Sequence, residues 1–193
     1  MGSPRLHLAL VEPMIPQNTG NIGRIALAFG LRLHLVGPLG FSIDEKACRR
    51  AGLDYWKHVD LARWDDLGSL ERSLEGSTLW LFSAHGKTSV TDAPFREGDA
   101  LVFGNEARGL PRPLVTAAGA RSVRIPLASS RVRSLNLANA VSIGTYEALR
   151  RLGLEDVPPG PGALDDGVER DARGRLLEAG RPARKGRSCA RSS

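Results

Sequence analysis

A chain of 193 residues with 41% hydrophobic and 25% charged residues has the composition of one soluble globular domain with a sizeable core. No apolar run approaches the roughly 20 residues of a membrane span, and the N-terminus lacks a signal peptide's apolar core, so we expect a cytoplasmic protein without a membrane partner. The net charge of +6 favours a polyanionic partner such as nucleic acid without requiring one.

The body of the chain alternates predicted strands with predicted helices. In chain order these are a strand at 6–12, a helix at 19–29, a strand at 31–37, helices at 44–52 and 65–75, strands at 78–83, 100–104 and 122–127, and a helix at 136–152. Such alternation predicts an α/β domain whose mainly parallel sheet is covered by helices on both faces. Ligands of such sheets bind at the carboxyl ends of the strands.

In two of the predicted helices the apolar residues are spaced so that they fall on one face. The apolar positions of the first are Ile22, Ile25, Ala26 and Phe29, and those of the last are Leu137, Ala140, Val141, Gly144, Ala148 and Leu149. We expect these residues to pack on the sheet.

The composition changes near residue 153. Residues 154–193 contain no aromatic residue and many Pro, Gly and Arg, a composition that cannot bury enough apolar surface to offset the entropy of ordering. We therefore predict one domain over 1–153 and a mostly disordered tail over 154–193. The five basic residues after Ala179 either contact RNA phosphates or form a solvated tail without a specific role.

The segment Glu12 to Arg24 follows the first strand and leads polar and glycine residues into a helix. Because helix N-termini present free N–H groups to anions, this segment suggests phosphate binding, with Arg24 one turn inside the helix as a bidentate donor. The alternative is a capped turn with a surface arginine.

The segment from Leu101 to Pro111 follows a later strand that breaks at Gly104, where glycine lets a ligand approach the backbone. Glu106 and Arg108 form either part of this site or a structural ion pair. A third segment, from Ile125 to Val141, carries Arg131, Arg133 and Ser134 into a helix that begins with Asn136 and Asn139. One asparagine caps this helix, and the second suggests polar contacts in a packed site.

Other common sites are missing from the sequence. The glycine-rich dinucleotide fingerprint, the Walker loop, the nucleophile elbow and metal-ligand spacing are all absent, and Cys48 and Cys189 are too few for a disulfide framework. His7 and His34 alternate within strands and are predicted to be structural, whereas His58 and His85 are predicted at loops or strand ends.

Five motifs together resemble the SPOUT methyltransferases, and most closely their TrmL/YibK group. EPxIPQNTGNIxR, RLHLVxPLGF, RRAGLDYW, FGxExRGLP and RSLNLANAVSxxxYEALRxLG occur in this order over about residues 6–153. The last two are shared widely within SPOUT, and the first three are more specific to the TrmL group.

The resemblance implies a fold, an assembly and a reaction. The fold is an α/β domain whose C-terminal part is tied into a deep trefoil knot, an exception to the usual rules of chain topology, and the assembly is a homodimer with the active site at the subunit interface. The reaction is S-adenosylmethionine-dependent, metal-free 2′-O-methylation of the wobble cytidine or uridine of leucine tRNAs.

The resemblance also implies roles for individual residues. Arg24 matches the arginine near the acceptor ribose, and Tyr146 matches a functional helix tyrosine, with a tyrosine buried between subunits as the alternative. Arg131, Arg133 and Asn136 are expected to contact tRNA. Cofactor contacts are expected at Phe82, Gly104, Ile125, Leu127, Ser134 and Leu135.

Departures from the group's pattern leave the nucleoside open. Asn105 stands where TrmL enzymes usually have Pro, and Ala107 where they usually have Thr. The Gly-Asn-Glu sequence is closer to the TrmH group, which methylates guanosines. Methylation of a guanosine, of another tRNA site or of rRNA, and RNA binding without catalysis, therefore remain alternatives, whereas the missing glycine fingerprint disfavours an oxidoreductase.

Overall fold

The computed structural model describes residues 5–41, 54–129 and 131–153, which lie in one compact unit, Met1–Leu154. The helix predicted at 44–52, with Cys48, and the tail predicted at 154–193, with Cys189, lie outside the described residues.

Seven strands and four α-helices make up the described part of the chain. In order they are β1 (His7–Val11), α1 (Pro16–Ala28), β2 (Arg32–Val36), a 3₁₀ helix (Asp54–His58), β3 (Leu61–Trp64), α2 (Leu67–Ser73), β4 (Leu79–Phe82), β5 (Thr88–Ser89), β6 (Ala100–Phe103), α3 (Arg112–Ala118), a second 3₁₀ helix (Gly119–Arg121), β7 (Ser122–Arg124) and α4 (Leu137–Arg151).

The strands form one sheet in the order β3-β2-β1-β6-β4-β7-β5. Every paired neighbour runs parallel, which confirms the predicted mainly parallel sheet. The register between β1 and its neighbours places Leu8 beside Leu33 on one side and Leu101 on the other. Strands β1, β6, β4 and β7 are consecutive across the sheet, so the segments that follow them emerge side by side at one edge.

Helices cover both faces of the sheet, as predicted. One core packs α1 and α4 against alternate strand residues such as Leu8 and Leu101, and its members from the helices include Ile22 and Val141. The other core packs α2 and α3 against the residues between them, among which are Ala9, Leu81 and Val102. Strands buried on both faces read as continuous apolar runs, which is why the central strands were predictable.

The predicted apolar faces of the two long helices are largely correct. Ile22, Ala26, Val141 and Ala148 are fully buried. Phe29 is wrong as a core residue, because α1 ends at Ala28 and the Phe29 side chain is 37% exposed at the C-cap. Asp66 begins α2, because its carboxylate accepts the Ser69 N–H and caps the helix.

His7 and His34 form a buried hydrogen-bonded chain on the α2–α3 side of the sheet, which confirms their structural assignment. The Trp64 indole N–H donates to His34 Nδ1 at 2.8 Å, and His34 Nε2 lies 2.9 Å from His7 Nδ1. Because His34 Nδ1 accepts the Trp64 N–H, the single ring proton of His34 sits on Nε2. His34 Nε2–H then donates to His7 Nδ1, which therefore carries no proton, so both imidazoles are neutral. Burial is the largest cause that lowers the pKa of His34, to about 4, and repulsion from a protonated His7 and from Arg32 adds to it.

No helix in the described part of the chain combines the length and the apolar character that crossing a bilayer requires.

Candidate functional site

The three polar segments and the residues after β4 surround one open cleft of about 1110 Å³ at the carboxyl edge of the sheet. Its walls come from the ends of β1, β4, β6 and β7 and from the start of α4. The cleft lies where the sequence predicted a ligand, because neighbouring parallel strands place their following loops together.

Glu106 ties the second segment to the first. Its carboxylate accepts hydrogen bonds from the backbone N–H groups of Met14 (2.8 Å) and Ile15 (3.1 Å) and from the Asn18 side-chain amide (3.1 Å). Burial is the largest influence on the pKa of Glu106 and raises it, but these hydrogen bonds together outweigh burial and lower the pKa below its usual value. Glu106 is therefore an anion bound at the start of α1, where the helix dipole is positive.

The structure corrects three expectations. The Glu106–Arg108 ion pair is wrong, since Arg108 donates instead to the Glu12 carboxylate at 3.4 Å. The N–H groups just before α1 are not free for an external phosphate, because Glu106 already accepts from them. Arg24 lies more than one turn inside, since α1 begins at Pro16 and not at residue 19.

Asn105 shapes the turn after β6. Its side-chain amide donates to the Glu12 carbonyl oxygen at 2.9 Å, and its side-chain oxygen accepts the backbone N–H groups of Ala107 and Arg108. The Asn105 side chain is only 5% exposed, and both its N–H group and its oxygen have hydrogen-bond partners. Asn105, which departs from the TrmL pattern, therefore stabilises the loop after β6 through these hydrogen bonds.

Asn136 ties the third segment to the first. Its side-chain oxygen accepts the N–H groups of Ala138 and Asn139, which confirms that an asparagine caps the last helix. Its side-chain N–H donates to the Asn18 side-chain oxygen at 3.0 Å. Asn18 therefore bridges Glu106 and Asn136, whereas the Asn139 side chain is exposed and outside the cleft.

Gly104 allows the second segment to fold back on itself. A Cβ placed there would lie 2.2 Å from the carbonyl carbon of Gly109 and from the backbone nitrogen of Leu110. The glycine is required by this backbone contact within the protein.

The six residues predicted to contact a cofactor all line this cleft: Phe82, Gly104, Ile125, Leu127, Ser134 and Leu135. Phe82 and Phe103 stack with ring centroids 4.4 Å apart at its base. Leu127 is 40% exposed at this surface. The lining thus combines aromatic and aliphatic walls with a few polar groups, the usual composition of a small-molecule site.

The residues predicted to contact RNA or to act in catalysis divide between the cleft and the outer surface. Arg133 and Asn136 line the cleft, whereas Arg131, Arg24 and Tyr146 do not. Arg24 is exposed on α1, and Tyr146 is 56% exposed on α4. These two helices contact each other, so both side chains belong to the same helical layer.

A model of the SpoU rRNA Methylase family matches residues 5–146 of this chain, which is well over half of its length. The chain belongs to the SpoU methylase family.

The chain is similar along most of its length to a tRNA methyltransferase and to two solved structures. A tRNA (cytidine(34)-2'-O)-methyltransferase of Acidovorax sp. strain JS42 is 44% identical over 158 residues, which cover 80% of this chain and 97% of that protein. A solved structure described as insights into the 2-OH methylation of C/U34 on tRNA shares 47% identity, with a TM-score of 0.71, over 78% of this chain and 98% of its own. The SpoU methyltransferase AviRb of Streptomyces viridochromogenes, solved with AdoMet, shares 29% identity, with a TM-score of 0.64, over 79% of this chain and 62% of its own.

Sequence reasoning missed several polar members of this SpoU-family cleft, among them Asn18 and His85. Asn18 lies inside a recognised motif, but its position between two other loops depends on the order of the strands, which local patterns do not reveal. His85 was predicted at a loop or a strand end and lies in the turn after β4, but it was not predicted in the cleft that it lines. Its place after β4, beside other segments that follow strands, is the signal that could have found it.

Proposed function

We propose that this chain is an S-adenosylmethionine-dependent tRNA (cytidine/uridine-34)-2′-O-methyltransferase that modifies the wobble nucleotide of leucine tRNAs. The observation that carries the proposal is the 44% identity to a relative named for cytidine 34 of tRNA, over 97% of that relative. The departure that left a guanosine open at the sequence level, Asn105, has a structural explanation in the turn that it stabilises.

The cleft fits S-adenosylmethionine in chemical character. Phe82, Ile125, Leu127 and Leu135 provide apolar walls for an adenosine, and Ser134 provides a hydroxyl. When bound there, the cofactor supplies an activated methyl group, so the protein's own task is to align the ribose hydroxyl and to take up its proton. A SpoU-family relative solved with AdoMet supports this assignment.

Arg24 is proposed to orient the acceptor ribose or its phosphate. A guanidinium keeps its proton at any pH below about 12 and offers five N–H donors in a planar fork, so it binds and orients but does not act as a base. Arg131 and Arg133 are proposed to bind tRNA phosphates. Asn136 is proposed to contact RNA from the rim of the cleft with its second side-chain N–H, since the first is donated to Asn18.

A homodimer is proposed, in which Arg24 and Tyr146 of one subunit lie at the cleft of the other subunit. In one chain both side chains lie on the exposed surface of α1 and α4 and outside its own cleft. The same surface exposes apolar side chains that a second subunit would cover, Leu27, Phe29 and Ile143, each at least 37% exposed. Tyr146 then either acts at the site or packs between the subunits.

A trefoil knot is proposed in the C-terminal part of the domain. Strand β7 lies between β4 and β5, although only residues 83–87 join those two strands. Phe82 and Thr88 both pair with Val123, so the connection passes across β7 at that level. The crossing is close, since a Cβ on Gly86 would lie 2.3 Å from the Val123 carbonyl carbon. The proposal extends to a metal-free reaction in the cytoplasm.

The test is transfer of a labelled methyl group from S-adenosylmethionine to bulk tRNA, followed by mass spectrometry of the nucleosides. The proposal predicts a 2′-O-methylated pyrimidine and loss of transfer in Arg24→Ala with the affinity for S-adenosylmethionine unchanged. A labelled 2′-O-methylguanosine would instead identify a TrmH-like activity. Unchanged turnover in Arg24→Ala would remove Arg24 from the mechanism.

A further inference from the structure

The 3₁₀ helix Asp54–His58 packs against α1 through two adjacent aromatic residues. The Tyr55 hydroxyl donates to the Gly20 carbonyl oxygen at 2.9 Å. The Trp56 ring lies against Gly23, where a Cβ would approach Trp56 Cζ3 to 2.3 Å. Both rings also pack against the core that α1 shares with the sheet. The position of Tyr55 relative to α1 is therefore fixed by the packing of its ring against the core and by the hydrogen bond of its hydroxyl.

Arg24 lies over the face of the Tyr55 ring. Its guanidinium carbon is 4.6 Å from the ring centroid, within the range of a cation–π interaction. Among the residues whose side chains the structure describes, none forms a salt bridge with Arg24.

The difference between a ring and a carboxylate matters for an arginine that binds substrate. A carboxylate would occupy the N–H donors that a ribose or a phosphate needs. An aromatic face attracts the cation through its quadrupole and leaves the donors at the edge of the guanidinium free. Support by Tyr55 thus restricts the arginine without neutralising it.

We propose that Tyr55 is a positioning residue for Arg24, holding the guanidinium ready for the acceptor nucleotide. This inference rests on the proposed function, in which Arg24 orients the ribose or its phosphate. An exposed arginine on a helix otherwise samples many rotamers, and that freedom would have to be lost on binding tRNA. The rigidly held ring reduces this loss before the substrate arrives.

The kinetic test is a double-mutant cycle on methyl transfer to tRNA. Tyr55→Leu removes the ring face and is expected to lower kcat/KM about fivefold, the factor of a cation–π contact near 1 kcal/mol, with the affinity for S-adenosylmethionine unchanged. Tyr55→Phe keeps the ring and should restore most of that loss. Lys57→Ala, on the exposed side of the same 3₁₀ helix, is the matched control and should behave as the wild type. Against the residual transfer of an Arg24→Ala background, measured in single turnovers at high enzyme concentration, Tyr55→Leu should have no further effect.

A second measurement reports on the contact without relying on activity. In the NMR spectrum of the full chain, the side-chain signals of Arg24 should carry a ring-current shift that Tyr55→Leu abolishes and Tyr55→Phe retains. An equal loss of activity from Tyr55→Leu with and without Arg24, or an Arg24 spectrum that does not respond to Tyr55→Leu, would overturn the inference. Absence of methyl transfer by the wild type would instead contradict the proposed function, and the ring-current shift would still decide whether Tyr55 holds Arg24.

Discussion

Single side chains with several hydrogen bonds hold the loops of the cleft together. Glu106 accepts from two backbone N–H groups and one amide, and Asn18 passes the connection on to Asn136. Glu106 and Asn136 were singled out from their motifs and Asn18 was not, and no motif indicated that these three side chains contact one another. The Glu106–Arg108 pair was the simpler expectation from sequence distance, and the fold instead gave Glu106 partners 88 to 92 residues away.

Asn136→Ala is expected to destabilise the protein by about 1–2 kcal/mol, because two N–H groups of α4 lose their cap and Asn18 loses a donor. Asn139→Ala, in the same turn but with an exposed side chain, should change the free energy of unfolding by less than about 0.5 kcal/mol. Urea denaturation of both variants measures the difference. Equal losses would contradict the role given to Asn136.

The buried histidines predict a pH dependence of stability. The pKa of His34 is lowered by burial to about 4 in the folded protein, whereas an unfolded histidine titrates at 6.5. As the pH falls below 6.5 the unfolded chain binds the proton first, so stability decreases progressively down to about pH 4, by up to about 3 kcal/mol. The pKa of His7 shifts in the same direction, with burial as the main cause.

Urea denaturation between pH 7.5 and 4.5 tests this directly. His34→Gln, which can still accept from Trp64 and donate to His7, should show a shallower decrease in stability than the wild type. His85→Gln, at an exposed histidine, is the matched control and should keep the wild-type slope. A His34→Gln variant as sensitive to pH as the wild type would show that His34 does not titrate as described.

Among the elements, those with long apolar runs were predictable and the short ones were not. The five central strands were predicted, but β3 and β5 at the two edges of the sheet were missed. Edge strands are half exposed, and the two residues of β5 carry no apolar run at all. Helix α3 was missed because its start, Pro111-Arg112-Pro113, suggests a loop, although proline suits the first turn of a helix.

The close crossing of the 83–87 connection over β7 predicts a steep cost for one added methyl group. In Gly86→Ala the Cβ would lie 2.3 Å from the Val123 carbonyl carbon and 2.5 Å from its oxygen, so the backbone must move. We expect a loss of about 3 kcal/mol or more in the free energy of unfolding. Gly68→Ala, in α2 where the nearest atoms stand at 3.4 Å, should be neutral or stabilising by up to about 1 kcal/mol. A Gly86→Ala protein as stable as Gly68→Ala would disprove the crossing.

For the whole molecule, the order of the strands decides the function and was the least predictable feature. Local patterns placed the three polar segments after strands, but only long-range pairing puts β1, β6, β4 and β7 side by side. The family resemblance supplied what periodicity could not, namely the expectation that the six cofactor residues share one site. It also supplied the expectation of a second subunit.

The exposed apolar side chains of α1 and α4 predict a homodimer, and a single charged substitution on this surface should dissociate it. The wild type is expected to sediment as a dimer, and Ile143→Asp, which buries a charge if a second subunit covers that side chain, should sediment as a monomer. Ile143→Leu is the matched control and should remain dimeric. If Ile143→Asp and the wild type sediment alike, α4 does not contribute Ile143 to the interface.

The proposed role of the cleft is the transfer of a methyl group to one ribose hydroxyl, that of nucleotide 34. The most direct measurement compares two leucine tRNAs that differ only in whether nucleotide 34 is cytidine or 2′-deoxycytidine, with labelled S-adenosylmethionine as donor. We predict transfer to the first and none to the second, since the deoxynucleotide lacks the acceptor oxygen. Equal labelling of both tRNAs, or a label found on a base, would contradict the account.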